Sequence, residues 1–207
     1  MPLPQAELEV AGWVRSAAAG DAGAWRSLVE AYSGRVFGLL VKQCGDRDLA
    51  EELTQVTFVK VVEQLAGPNG YTEQGRFEPW LFRVAMNKLR DEMRRRKRQA
   101  VSADFGPGGE RDETGWAAPA DEGGEGSLGE NPLAVLDRAE QVDRLRDAVA
   151  GLPAADREVL HLRHTAGLSF AEIAETLEQP LGTVLARGHR ALKKLKKMMQ
   201  ETGDEAA

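Results

Sequence analysis

Residues 168–197 read LSFAEIAETLEQPLGTVLARGHRALKKLKK, and the stretch divides into two helices around a tight turn. Ser169 is placed to cap the first helix, and Glu172 three residues on closes a capping box. Ile173, Ala174 and Leu177 give that helix an apolar side. Glu178-Gln179-Pro180 ends it, because proline cannot continue a helix and disfavours helical geometry just before itself. A second helix is predicted to start near Thr183, a good cap residue. Short helix, three- or four-residue turn and second helix make a helix-turn-helix.

The second helix has two sides. At about 100° per residue, Val184, Gly188, Ala191 and Leu195 share one narrow arc. Arg187, Arg190, Lys193, Lys194 and Lys197 fall elsewhere. From Arg187 to Lys197 there are six Lys/Arg, His189 and no acid. Gly182, Thr183 and Ala186 are small and allow close approach to a phosphate chain, with the cations reaching into a major groove. A basic helix alone is more often a solvated face. Behind a capped turn, it reads as DNA binding.

The chain has 207 residues and a net charge of −6, so the basic stretch is a local departure from an acidic whole. Hydrophobic content of 42% and charged content of 29% are ordinary for a globular protein. No apolar run approaches the ~20 residues needed to span a bilayer, so no membrane insertion is expected. The start, MPLPQAELEV, lacks the basic segment and apolar core of a signal peptide, which predicts a cytoplasmic protein. Cys44 is the only cysteine, so an internal disulfide and a multi-cysteine zinc site are excluded. It reads as a buried thiol.

Going back to the start, residues 1–20 carry a short helix from Leu8 to Ala19. Asp21 caps the next helix, whose Trp25, Leu28, Val29, Tyr32, Val36, Phe37, Leu40 and Val41 repeat at three- and four-residue spacing. Cys44-Gly45 ends it. The helix from Asp46 to Leu65 is apolar almost all round toward its end, which predicts a central position. Gly67-Pro68-Asn69-Gly70 breaks it. After a loop over 71–75, a long helix is predicted from Phe77 to Arg98, with Pro79 suited to its first turn. Trp80, Leu81, Val84, Ala85, Leu89 and Met93 mark its apolar face.

Between Arg83 and Arg98 eight basic residues stand against Asp91 and Glu92. Aromatics beside cations are what melted nucleic acid needs, for stacking and phosphate neutralisation. Most of Phe77, Trp80 and Phe82 is expected to be core, whereas Tyr71 in its polar loop is expected to be exposed. Residues 99–132 hold eight Gly, three Pro and eight acids against Arg111 alone. They read as a flexible acidic linker, a tether more than a screen for the basic helices. Periodicity returns with helices over 131–152 and 154–165. The fold class is therefore all-α, two small helical domains joined by a flexible linker. Their limits are 21–98 and 133–200, with 1–20 as an N-terminal extension and 99–132 as the linker.

No catalytic constellation stands out. There is no Ser/His/Asp or Cys/His set and no phosphate-binding loop. His161 and His164 are three apart on a helix but have no third ligand, so no metal is expected. Glu51 and Glu52 are adjacent and diverge around their helix, a poor acid/base pair and a better docking surface. The expectation is a protein that is not an enzyme and uses no cofactor.

This layout resembles an extracytoplasmic-function (group 4) sigma factor of bacterial RNA polymerase, in the sigma-70 family. AEELTQVTFVKV (50–61) is similar to the family's segment that docks on the β′ coiled coil of core polymerase. RFEPWLFRVAMNKLRDEMRRRKR (76–98) is similar to the helix that melts and reads the −10 element. Residues 152–197 are similar to the domain that reads the −35 element.

The resemblance implies docking of core polymerase by Glu51, Glu52, Gln55 and Phe58. It implies −10 recognition by Tyr71, Trp80, Arg83, Asn87, Arg94 and Arg95, with a flipped base captured near Tyr71 and Asn87. It implies −35 contacts by Thr183, Arg187, His189, Arg190 and Lys194. The implied partners are core polymerase through its β′ coiled coil and β flap, promoter DNA, and an anti-sigma factor covering the docking surface and the 181–197 helix.

This chain departs from the family at three docking positions: Leu49 replaces an acid, Glu52 stands for an Asp, and Val56 replaces a Glu. Weaker or conditional core binding follows, with phosphorylation of Thr54 or Thr57 as one way to restore charge. In the recognition helix, Leu185-Ala186 replaces a polar pair, so the −35 sequence read by relatives does not transfer. The rival readings are a one-component helix-turn-helix regulator that binds duplex DNA alone, and a helical adaptor.

Overall fold

A computed structural model describes residues 5–67, 71, 75–103 and 132–204. Among the described residues every regular element is an α-helix: α1 Gln5–Ala18, α2 Ala22–Cys44, α3 Arg47–Ala66, α4 Phe77–Ala103, α5 Pro132–Ala150, α6 Ala154–His164, α7 Phe170–Leu177 and α8 Leu181–Asp204. Most of the predicted linker lies outside the described residues.

Local chemistry sets the boundaries. Asp21 accepts from the Gly23 and Ala24 amides and starts α2, and Gly45 ends it in the left-handed region at φ 69°. Asp46 accepts from Leu49 N and starts α3. Ser169 and Glu172 form both halves of the expected capping box on α7. Two expectations need correction. Helix α4 runs five residues past Arg98, since Gln99 to Ala103 includes no breaker before the glycines. Helix α8 starts at Leu181, with the Thr183 amide donating to Pro180 O at 2.9 Å. Proline's fixed φ starts the helix earlier than a threonine cap would, and Thr183 sits inside the first turn.

Helices α1–α4 form one bundle around Val14, Leu28, Val36, Leu40, Leu53, Val61, Leu81 and Phe82, all buried. Cys44 is buried as expected, its thiol donating to Asp46 O at 3.2 Å. Helices α5–α8 form the second bundle, with a small cluster of Leu152, Leu160, Ala191 and Leu195 beneath α8. The two bundles are not separate beads. Val159, Leu162, Ala166, Leu168, Ile173, Leu177 and Val184 of the second bundle belong to the same apolar cluster as the first.

His161 on α6 lies at the contact with α2. Burial, and then the nearby charges of Lys42 and Arg157, push its imidazole down to about 4 from an ordinary 6.5. Its Nδ1 is sealed from solvent with no hydrogen-bond partner. The folded protein therefore favours neutral His161, and the unfolded chain takes up the proton first. Stability is full above pH 6.5 and falls as pH drops toward 4. About 2 kcal/mol should be lost between pH 6.5 and 5, before most carboxylates protonate. Urea denaturation at the two pH values checks this, and His161→Gln should flatten the difference.

Candidate nucleic-acid interface

The helix-turn-helix is built as the sequence implies. Glu178 closes α7 in the left-handed region at φ 54°, the only non-glycine residue with positive φ among those described. Val184 and Ala191 are fully buried and Gly188 is buried beside them. A Cβ on Gly188 would lie 2.9 Å from the Phe170 ring, so α7 and α8 meet there at glycine distance. The opposite side of α8 is open: Gly182, Thr183, Leu185, Ala186, His189 and Arg190 are all exposed.

The cations of this face are held by neighbours within the bundle. Arg187 donates to Gln179 Oε1 in the turn. Arg190 pairs with Asp156 at 3.3 Å, and Lys194 donates to Gly151 O at 2.8 Å. Such partners fix the direction of these long side chains. Leu181, Leu185 and Leu192 add exposed apolar surface that periodicity did not single out for function.

The second basic helix is α4. Phe77 and Phe82 are buried, as the core reading holds, while Trp80 is half-buried. Tyr71 differs from expectation. It is half-buried and stacks on Trp80 with ring centroids 4.3 Å apart, edge-on to Phe77 at 6.0 Å. Its amide donates to Gln64 O at 3.0 Å, which ties the loop to α3. Stacking aromatic faces removes more apolar area from water than an exposed loop position could.

Tyr71, Trp80, Arg83 and Asn87 thus lie together at one side of α4. Asn87 is exposed, and its Oδ1 accepts from Arg90 at 3.1 Å. Arg94 and Arg95 are exposed further along, beside Asp91 at 4.0 Å and Glu92 at 2.6 Å. The paired arginines Arg95 and Arg96 hold the Glu92 carboxyl below its usual range.

Glu51, Glu52 and Gln55 are exposed on α3, and Phe58 is half-buried against the core. The valines of this helix correct the expected central position: Val56, Val59 and Val62 are 37%, 59% and 43% exposed. The helix is apolar on two sides because only one of them is core. Leu49 is buried, so its departure from the family's acid falls inside the bundle, and Val56 is the one that alters the surface. Thr57 is fully buried and donates to Leu53 O at 2.7 Å, which closes it to modification in the fold. Thr54 is half-buried and donates to Ala50 O.

Two all-helical bundles, one with a helix-turn-helix and one with an aromatic-lined basic helix, define a two-module nucleic-acid-binding protein. Comparison with known proteins gives the family. Residues 28–99 match the model of sigma-70 region 2, and residues 143–195 match that of sigma-70 region 4. The chain is 31% identical to the extracytoplasmic-function RNA polymerase sigma factor SigE of Mycolicibacterium smegmatis, over 92% of this chain and 68% of that protein. It is 30% identical to sigma factor SigL of Mycobacterium tuberculosis, over 92% and 97%. In fold it is similar to a chain in the co-crystal structure of sigma factor RpoE with the anti-sigma factor NepR from Bartonella quintana. That match has a TM-score of 0.59 and 20% identity, over 84% of this chain and 96% of the other. The chain belongs to the extracytoplasmic-function sigma factors of the sigma-70 family.

Proposed function

We propose that this chain is a promoter-specific initiation factor that binds core RNA polymerase, reads a −35 duplex with α8 and opens the −10 element with α4. The observation that supports this best is the order of parts: a docking helix, a basic aromatic helix and a basic helix-turn-helix, in modules of the matching sigma regions. It works with polymerase in the cytoplasm and catalyses nothing itself. No described helix is long and apolar enough to cross a membrane.

In this reading Glu51, Glu52 and Gln55 dock on the β′ coiled coil, with the exposed Val56 and Val59 adding apolar contact beside them. Tyr71, Trp80, Arg83 and Asn87 receive the melted −10 strand, with Arg94 and Arg95 neutralising phosphate. Thr183, Arg187, His189, Arg190 and Lys194 meet the −35 duplex, and the β flap holds the second module. An anti-sigma factor, the partner named for the Bartonella quintana neighbour, would cover the α3 and α8 faces.

Run-off transcription with core polymerase, plus and minus the protein, tests the reading. New transcripts are expected from a matched promoter, reduced at least tenfold by Asn87→Ala with core binding unchanged. Tight duplex binding by the protein alone, with no core binding, would instead favour a one-component regulator.

A further inference from the structure

The outward surface of α8 is not uniformly basic. At a turn of about 100° per residue, Leu181, Leu185 and Leu192 fall within about 40° of one another on one flank. All three are exposed. Thr183, Arg187, Arg190 and Lys194 share the other flank, within about 60°. The buried Val184, Gly188 and Ala191 lie between the two flanks on the inner side.

A recognition helix sends the residues of its N-terminal turns to the base edges. Here those turns hold few hydrogen-bonding side chains. Leu181, Gly182, Leu185 and Ala186 are exposed and offer none. Arg187 is turned back to Gln179. A helix that read bases by hydrogen bonds alone would carry groups such as Asn, Gln or Arg at 185 and 186. Single exposed leucines are ordinary on any surface. Two of them one turn apart, at the base-facing end of a helix otherwise rich in Lys and Arg, are not scattered. Residues 181–195 also fall within the match to sigma-70 region 4.

The major groove supplies one apolar partner. The C5 methyl of thymine projects into it, cytosine lacks that methyl, and A·T differs from T·A in the strand that carries it. Leu185 is 44% exposed and Leu181, one turn earlier on the same flank, 46%, so each has apolar surface free to close over a methyl. Removing one methyl from water favours binding by about fourfold. The cations along the rest of α8 draw the helix to the phosphates, an attraction that carries no sequence information. Sequence choice therefore has to come from the turns where the leucines stand.

We infer that Leu185, with Leu181 and Ala186 beside it, reads the C5 methyl of a thymine, so that the −35 element holds an A·T pair of fixed orientation opposite the first turns of α8. The inference rests on the sigma-factor reading and deepens it, by naming what the apolar flank recognises. Leu192 is the internal control. It lies on the same flank and is equally open, but about 10 Å further along the helix, beyond the turns that meet the base edges.

A methyl-deletion cycle tests this with core polymerase and the full chain. The holoenzyme first selects from a matched promoter randomised over its −35 element, and one position should return thymine on a fixed strand. Replacing that thymine by deoxyuridine removes the methyl and leaves every hydrogen-bonding group in place. Template affinity of the wild-type holoenzyme should then fall about fourfold. Leu185→Ala should lose a similar factor on the thymine template and respond no further to deoxyuridine, while Leu192→Ala keeps the wild-type response. No thymine preference in the selection, or no effect of deoxyuridine on the wild type, overturns the inference. A Leu185→Ala loss that is equal on both templates also overturns it, and gives the leucine flank to a protein partner instead. Absence of core binding by the wild-type chain is a separate outcome: it removes the sigma-factor reading, and the inference with it.

Discussion

Phe82→Ala is expected to lower the unfolding free energy by about 3–5 kcal/mol, the range for emptying a fully buried aromatic site. Phe82 is wholly buried on α4 and belongs to the apolar cluster that both bundles share. The Arg35 guanidinium lies 5.3 Å from its ring centre and cannot fill the space without leaving Glu78. Single domains hold only about 5–15 kcal/mol in total, so the variant should be partly unfolded near physiological temperature. Urea denaturation followed by circular dichroism measures the loss. Trp80→Ala, at a half-exposed site two residues away, is the comparison and should cost clearly less. A Phe82→Ala loss below 1 kcal/mol would mean that the bundle contact is not packed as described.

Arg190→Ala should give the second large effect, on promoter use more than on folding. Its side chain is 61% exposed, but its partner Asp156 at 3.3 Å is buried, so some stability is lost with it. A lost arginine contact to a base or phosphate costs about 1–3 kcal/mol, or roughly 5- to 150-fold in binding. Run-off transcript from a −35-dependent promoter should fall within that range while core binding holds. If the loss appears equally on a template whose −35 element has been scrambled, Arg190 does not read that element.

Much of this was legible in local signals. Asp21, Asp46 and Ser169 cap where their side chains permit, and Gly45 ends α2 where a left-handed residue is needed. The buried arc of α8 follows from the helical period alone. What escaped depends on partners distant in the chain. Valines at 56, 59 and 62 look like core in one dimension, because periodicity cannot tell an internal face from a docking face. Tyr71 sits among polar residues, yet Trp80 nine positions on gives it a ring to stack on. The match of Arg76 with Glu175 joins residues on opposite sides of an acidic linker, and no local pattern announces it. Thr183 failed for a smaller reason: two start signals lay three residues apart, and proline acted first.

The glycine contact between Phe170 and Gly188 has a consequence for changing what this chain reads. Because α8 rests on that point, its inward residues Val184, Gly188 and Ala191 behave as a fixed mount, and a methyl added at 188 would have to displace the Phe170 ring or shift the helix. Positions 182, 183, 185, 186, 189 and 190 face outward and touch none of that mount. They form an alphabet that can be rewritten letter by letter, as a lens is exchanged without realigning its holder. A library restricted to those six sites should return folded proteins with altered promoter choice, whereas one that includes 188 should return a smaller share of folded ones.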